Sequence, residues 1–236
     1  MEQLKYNIFS GSISGLCEVI ATHPLDLLKT KAQYTKNTKL SHFKQLYKGI
    51  KPRLYGVIPM RTVFWSSIET SNYLLETFNI HDTYRLLVAG AVAGIAQSVI
   101  DIPIENVKIQ NITRNVYDLK KINLYRGSLI TISRNVGFAI ILNIFIHTNN
   151  DHSNKKIDFC RAGLGAVVGS ILTHPMDYIK TQIQSDTYPT TWSVVKNTKI
   201  NKYGAGCLSR ASMGFINMGI GYTIFSSIND IILKNK

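Results

Sequence analysis

The stretch from His23 to Gln33, HPLDLLKTKAQ, sets a proline inside an apolar segment, an acid two residues on and a base three after that. Proline removes a helical hydrogen bond and bends the chain, while Asp26 and Lys29 share one helical face at a spacing of three. The arrangement returns as DIPIENVKIQ at 101–110 and as HPMDYIKTQIQ at 174–184. The common core is Pro24-x-Asp26-x-x-Lys29, Pro103-x-Glu105-x-x-Lys108 and Pro175-x-Asp177-x-x-Lys180. Chance supplies far less than one copy of such a pattern in a chain of this composition, so three copies mark an internal repeat. They divide the chain into units at 1–80, 81–155 and 156–236.

Working outward from the prolines, more of each unit matches. Gly11 and Gly15 stand before Pro24 where Gly90 and Gly94 stand before Pro103, and Ala162 and Ala166 hold the same register before Pro175. Small residues four apart let helix backbones approach closely, as is common where helices pack in lipid. Downstream, LYKG at 46–49 recurs as LYRG at 124–127, with a weaker echo, YGAG, at 203–206. Each unit reads as two apolar helices joined by a polar connection. The first helices are expected near 6–33, 84–112 and 158–184, and the second near 54–77, 127–147 and 206–232. No charge interrupts Leu86 to Ile100 or Ala211 to Asn229, runs that approach the roughly 20 residues of a membrane span. The long connections at 34–53, 113–126 and 185–204 are basic and those at 78–83 and 148–157 short, which puts the three proline-bent helix ends on the more basic side.

Bulk properties agree with that reading. The chain has 236 residues, 45% hydrophobic and 17% charged, with 27 Lys+Arg against 14 Asp+Glu and a net charge of +13. Low charge overall with a strong positive excess suits an anionic partner: nucleic acid, lipid headgroups or an acidic solute. Cys17, Cys160 and Cys207 lack metal-ligand spacing and read as small fillers in apolar stretches, without a redox role. The start, MEQLKYNIFS, has neither an Arg-rich amphipathic pattern nor a charged segment followed by an apolar one, so no removable targeting peptide is expected.

Three copies of P-x-[DE]-x-x-K, each with an upstream small-residue pair and two with a downstream Y-[KR]-G, make the chain resemble the mitochondrial carrier family of solute transporters. The resemblance implies an all-α membrane protein of six transmembrane helices in three pseudo-symmetric repeats around a central cavity, resident in the mitochondrial inner membrane and exposing one site alternately to each face. It implies membrane lipids, cardiolipin among them, as partners. One chain supplies all three repeats, so a monomer suffices. With three-fold pseudo-symmetry the acid of one bent helix meets the base of the next: Asp26 with Lys108, Glu105 with Lys180, and Asp177 with Lys29. These pairs would form a matrix gate, braced by Gln110 and Gln182, with Lys31 in the corresponding place of the first repeat. Pro24, Pro103 and Pro175 would bend the helices together beneath the cavity. At the cytosolic side the sequence departs from the family's [FY]-[DE]-x-x-[KR]: the aligned positions hold Ile68-Glu69-x-x-Asn72, Ile146-His147-x-x-Asn150 and Tyr222-Thr223, and Glu69 is the one remnant of expected charge. A weak cytosolic gate is expected, which makes net uniport thinkable beside exchange.

The resemblance implies substrate contacts around the middle of the second helices, and aligning these on the Y-[KR]-G elements and the third-repeat arginine places Arg61, Arg134 with its neighbour Asn135, and Arg210 there. Arginine within a bilayer is costly unless it meets water or an anion, and its planar fork grips carboxylate or phosphate. Three arginines therefore point to a small anionic solute. Glu18 and Gln97, six residues before their prolines, share a register that could line the cavity, and Glu18 could instead pair with one of the arginines. The Arg134-Asn135 pair resembles carboxylate and keto-acid carriers more than adenine-nucleotide carriers. Against that, a chain rich in Asn, Ile, Lys and Tyr with trimmed loops fits an A+T-rich, compact genome such as that of a large DNA virus. Such a virus would gain from moving nucleotides or deoxynucleotides across the host's mitochondrial membrane. Nucleotides are the main expectation on that ground, with carboxylates or keto acids as the alternative.

Other classes fare less well. His23, His42, His81, His147, His152 and His174 form no metal spacing, no Gly-rich phosphate loop follows a strand and no G-x-S-x-G occurs, so neither an enzyme nor a metal or other cofactor is expected. A basic nucleic-acid-binding protein is the better rival, from tracts such as YKGIKPRLYG, but most Lys and Arg flank apolar segments where lipid headgroups explain them. No nucleic acid is expected as a partner. An inactive carrier-like scaffold remains the third alternative, because the cytosolic motifs have decayed while the matrix motif is intact.

Overall fold

The computed structural model describes residues 2–34, 50–114, 124–147, 154–184, 190–198, 203–204 and 206–234; at 24–34 and 108–114 it describes the backbone alone. Among the described residues the chain is helical, without strands: α1 (Glu2–Tyr34), α2 (Ile50–Thr77), α3 (Asp82–Arg114), α4 (Ser128–His147), α5 (Lys155–Gln184), α6 (Thr191–Asn197) and α7 (Cys207–Lys234). The six long helices lie within a few residues of the ranges read from the sequence. The seventh, α6, falls in the connection at 185–204 that was read as polar linker. It is a two-turn helix started by Thr190, whose hydroxyl takes the Ser193 N–H while the Ser193 hydroxyl takes the Thr190 N–H.

Each long helix packs on the next in chain order, and α7 closes back on α1, so the six form a ring. The small residues set the closest approaches. A Cβ added at Gly90 would lie 2.6 Å from the Ile140 Cα and one at Gly94 2.6 Å from the Val136 Cα, which brings the α3 and α4 backbones together. Gly11 and Gly15 repeat the approach between α1 and α2, where a Cβ would meet the Thr62 Cα and the Arg61 Cβ, each at 3.0 Å. Ala162 and Ala166 on α5 are fully buried. As the first of each pair meets the later position on the partner, neighbours run antiparallel.

Helix ends have local causes. Asn79 takes a left-handed φ of 54° and ends α2, with the Ile80 N–H on the Leu75 carbonyl at 3.2 Å and the Asn79 N–H on the Glu76 carbonyl at 2.9 Å. Gly127, the last residue of the LYRG tract, has φ +72° at the entrance to α4. Asn106 on α3 holds that turn by donating to the Leu124 carbonyl at 2.9 Å and the Arg126 carbonyl at 3.1 Å, and Arg126 Nε donates to the Ile183 carbonyl of α5 at 2.8 Å. Helices α3 and α5 continue through Pro103 and Pro175, and α2 through Pro59.

The distribution of polarity is the reverse of a soluble bundle's. Val99, Leu129, Ile171 and Leu172 are exposed, whereas Glu18, Arg61, Asp101, Asn143, Asp158 and Lys180 are buried. Helices α3 over Asp82–Val107 and α4 over Ser128–His147 are long and apolar enough to cross a membrane. The apolar part of the interior is a layer in which Trp65 stacks on Phe225 at 5.7 Å and meets Phe64 edge-on at 4.9 Å, with Leu142, Ile146, Met218 and Tyr222 around them.

Candidate functional site

Below that layer, toward the long connections, lie three arginines on the second helix of each unit, every one of them beside a carboxylate. Arg61 on α2 forks onto Glu18 on α1, with Nε donating to Oε2 at 2.6 Å and Nη2 to Oε1 at 2.7 Å. The side chains are 7% and 2% exposed, so this pair is sealed in the wall between α1 and α2. Arg134 on α4 donates through Nη2 to Asp101 Oδ2 on α3 at 3.1 Å, and its Nε lies 3.4 Å from Asp177 Oδ1 on α5. Asn135 donates to Asp101 Oδ2 at 3.1 Å and to the Ser98 hydroxyl at 2.9 Å. Arg210 on α7 closes the group by pairing with the other Asp177 oxygen, Oδ2. Arg134, Asp177 and Arg210 are 15, 20 and 21% exposed, so this cluster is less deeply buried than the Glu18–Arg61 pair.

One turn beyond, toward the basic end, Lys180 on α5 is paired with Glu105 on α3. Lys180 is buried and Glu105 about a third exposed. The helix spacing explains the arrangement: Asp177 and Lys180 lie one turn apart, so the acid reaches back into the arginine cluster while the base reaches across to the neighbouring helix. Gln182 is half-buried. The side chains of Asp26, Lys29, Lys31, Lys108 and Gln110, and with them two of the three expected gate pairs, lie outside the described residues.

On the apolar layer's other side, Glu69 Oε1 sits 3.5 Å from His147 Nε2, and Asn72 donates to Asn143 Oδ1 at 3.1 Å. Asn143 in turn donates to the Leu86 carbonyl at 2.8 Å. Nearer the short connections, Lys155 holds Asp230 at 2.5 Å and Ser226 at 2.7 Å, and Asn229 bonds to Asn7 and Ser10.

This geometry bears on three expectations. Asp177 lies between Arg134 and Arg210, a contact not expected from the sequence, while its expected gate partner Lys29 has its side chain outside the described residues. Arg61 offers no vacant fork, because Glu18 fills it; this is the second of the two placements considered for Glu18. Glu69, read as a lone remnant, lies against His147. Asp101 was not singled out from the sequence, although an acid within an apolar helix was itself the signal. Nothing in a single helix's spacing could say that Arg134 of the next helix is its partner. Among the described residues no group of His, Cys, Asp and Glu has the arrangement of a metal site.

Residues 2–44 match the family model described as "Mitochondrial carrier protein". The chain is 26% identical to the succinate/fumarate mitochondrial transporter of Saccharomyces cerevisiae over 267 residues, covering 91% of this chain and 83% of that one. It is 22% identical to the mitochondrial tricarboxylate transport protein of Homo sapiens, covering 96% of this chain and 89% of that one. A probable calcium-binding mitochondrial carrier of Caenorhabditis elegans is 26% identical over 76% of this chain, but the chain spans only 31% of that relative's length. These likenesses run along the chain in which the P-x-[DE]-x-x-K unit occurs three times and the six long helices close a ring, and the relatives that the chain matches are mitochondrial carriers.

Proposed function

We propose that the protein is a membrane transporter that moves a small carboxylate across the mitochondrial inner membrane by alternating access. Its three repeats, 1–80, 81–155 and 156–236, would supply six spanning helices. Two of the helices are long and apolar enough to cross a membrane, and the other four owe their lower hydropathy in part to the charged and amide side chains they turn inward, which a solute pathway requires. The observation that carries the reading is the partly exposed Arg134–Asp177–Arg210 cluster. Two guanidinium groups ion-paired with one carboxylate are the kind of donor set that can hold a substrate carboxylate. Two relatives are named for carboxylates, a succinate/fumarate transporter and a tricarboxylate transporter. Together with the Arg134-Asn135 pair, these names move the reading away from nucleotides, which rested on what a virus would need and not on residues. The Glu105–Lys180 pair, with Asp26, Lys29, Asp177 and Lys108, is assigned to the matrix gate.

The test is uptake by liposomes containing the purified protein, with labelled succinate, citrate and nucleoside triphosphates outside, and with or without unlabelled acid inside. Carboxylate uptake stimulated by internal carboxylate is the expected result. Uptake of nucleotides alone would overturn it.

A further inference from the structure

We infer that Asp177 is an internal competitor of the substrate: its carboxylate occupies the seat between Arg134 and Arg210 that a substrate carboxylate takes during transport, so binding and release of Asp177 are one event. The inference rests on the carboxylate reading above. Its ground is a difference between the three arginines. Arg61 is matched one to one by Glu18 in a bidentate, sealed pair. Arg134 has a counterion of its own in Asp101, which Asn135 also holds. Asp177 is thus the one member of the cluster shared between two guanidinium groups, at 3.4 Å from Arg134 and paired with Arg210, and all three are partly exposed. A carboxylate that is shared and reachable is the one an incoming carboxylate can replace like for like. Asp101 and Glu18, each held by at least two hydrogen bonds and less than a tenth exposed, are not.

The position of Asp177 gives the exchange a consequence. It lies two residues after Pro175 and one helical turn before Lys180, which is paired with Glu105. A carboxylate displaced from the arginines is released on the gate side of the cluster, where the three-fold pattern puts Lys29 as its alternative partner. Substrate then shifts the equilibrium between two pairings of one side chain, which is the differential affinity a ligand needs to drive a conformational step. The apparent affinity of the wild type is lowered by the fraction of time Asp177 fills the seat.

The experiment is equilibrium binding of labelled succinate and citrate to the purified full-length protein in detergent, alongside exchange in liposomes, for wild type, Asp177→Asn and Asp177→Ser. Two replacements are used so that the failure of one to yield a monodisperse protein leaves the other. Asp82→Asn, at the exposed first residue of α3, is the control for loss of one negative charge. The expected result is binding about tenfold tighter in the Asp177 variants, within the range of ordinary coupling energies, with slower exchange and no change in the control. Wild-type binding that is unaltered or weakened by both replacements would overturn the inference and leave the carboxylate reading standing, with Asp177 merely holding the arginines in place. Binding of neither acid by any form would overturn both.

Discussion

At the scale of the residue, the same pairing of arginine with carboxylate carries two opposite expectations. Glu18 and Arg61 are buried, with both Glu18 carboxylate oxygens taking N–H groups from one edge of the Arg61 guanidinium. Removing one partner strands a charge away from water, which typically costs about 3–5 kcal/mol. Glu18→Gln is expected to lower the melting temperature of the detergent-solubilised protein strongly, and Glu18→Gln with Arg61→Gln to recover much of the loss. Arg210→Ala touches a cluster that is about one-fifth exposed, where solvent takes over part of the charge. It should therefore cost little stability and abolish carboxylate uptake, whereas a large fall in melting temperature with normal uptake would mean that Arg210 is structural. Part of this was legible before the fold: the repeated acid and base come from spacing, and the three arginines from the family resemblance. The Glu105–Lys180 contact follows from setting three copies in a ring. Partners such as Asp101 for Arg134 were not legible, because helical periodicity fixes which residues share a face and says nothing of what the neighbouring helix brings to it.

At the scale of the element, the repeat that located the helices also fixes how closely they pack. Gly94 faces the α4 backbone so closely that a Cβ would lie 2.6 Å from the Val136 Cα and 2.8 Å from the Asn135 carbonyl oxygen, and backbone has no rotamer with which to yield. Gly94→Ala should then push α3 from α4, at a cost of about 1–3 kcal/mol, and shift Asn135 from Asp101, reducing uptake as well. Gly137, on α4 but facing α5, meets only the Thr173 Cγ2 at 3.4 Å. Gly137→Ala is expected within about 0.5 kcal/mol of wild type; equal losses at the two sites would show that the close approach does not set the packing. At Gly127 the reason for glycine is the backbone, since φ is +72° and any Cβ would be strained there. The Y-[KR]-G tract was legible as a repeated mark, but that its glycine starts a helix in the left-handed region, tied down by Asn106, was not. Helix α6 was missed for a different reason: two turns inside a polar connection lack the apolar periodicity that reveals the longer helices.

At the scale of the whole molecule, charge and apolar surface alternate along the ring's axis. From the basic end come the Glu105–Lys180 pair, the arginine cluster, the Trp65–Phe225 layer, and then the Glu69–His147 and Asn72–Asn143 contacts. Of the aligned gate positions at the short-connection end only Glu69 has the expected charge, from which the sequence alone implied a weak gate. Trp65, Phe225, Leu142 and Ile146 are almost fully buried in one apolar cluster, and on the transporter reading proposed above such a layer would exclude both water and a charged solute. Trp65→Ala should open this layer. Liposomes loaded with the carboxylate that the wild type exchanges are expected to retain it when no substrate is outside, and liposomes carrying the Trp65→Ala protein to release it. Truncating so large a buried side chain also costs about 3–5 kcal/mol, so release is to be measured well below the variant's own melting temperature. Trp192→Ala, on the exposed face of α6, is the matched control and should leak no more than wild type. Release by the wild type at the variant's rate would mean that the layer is packing alone and that the protein runs as a uniporter; retention by both would put the seal in the Glu69–His147 and Asn72–Asn143 contacts above it.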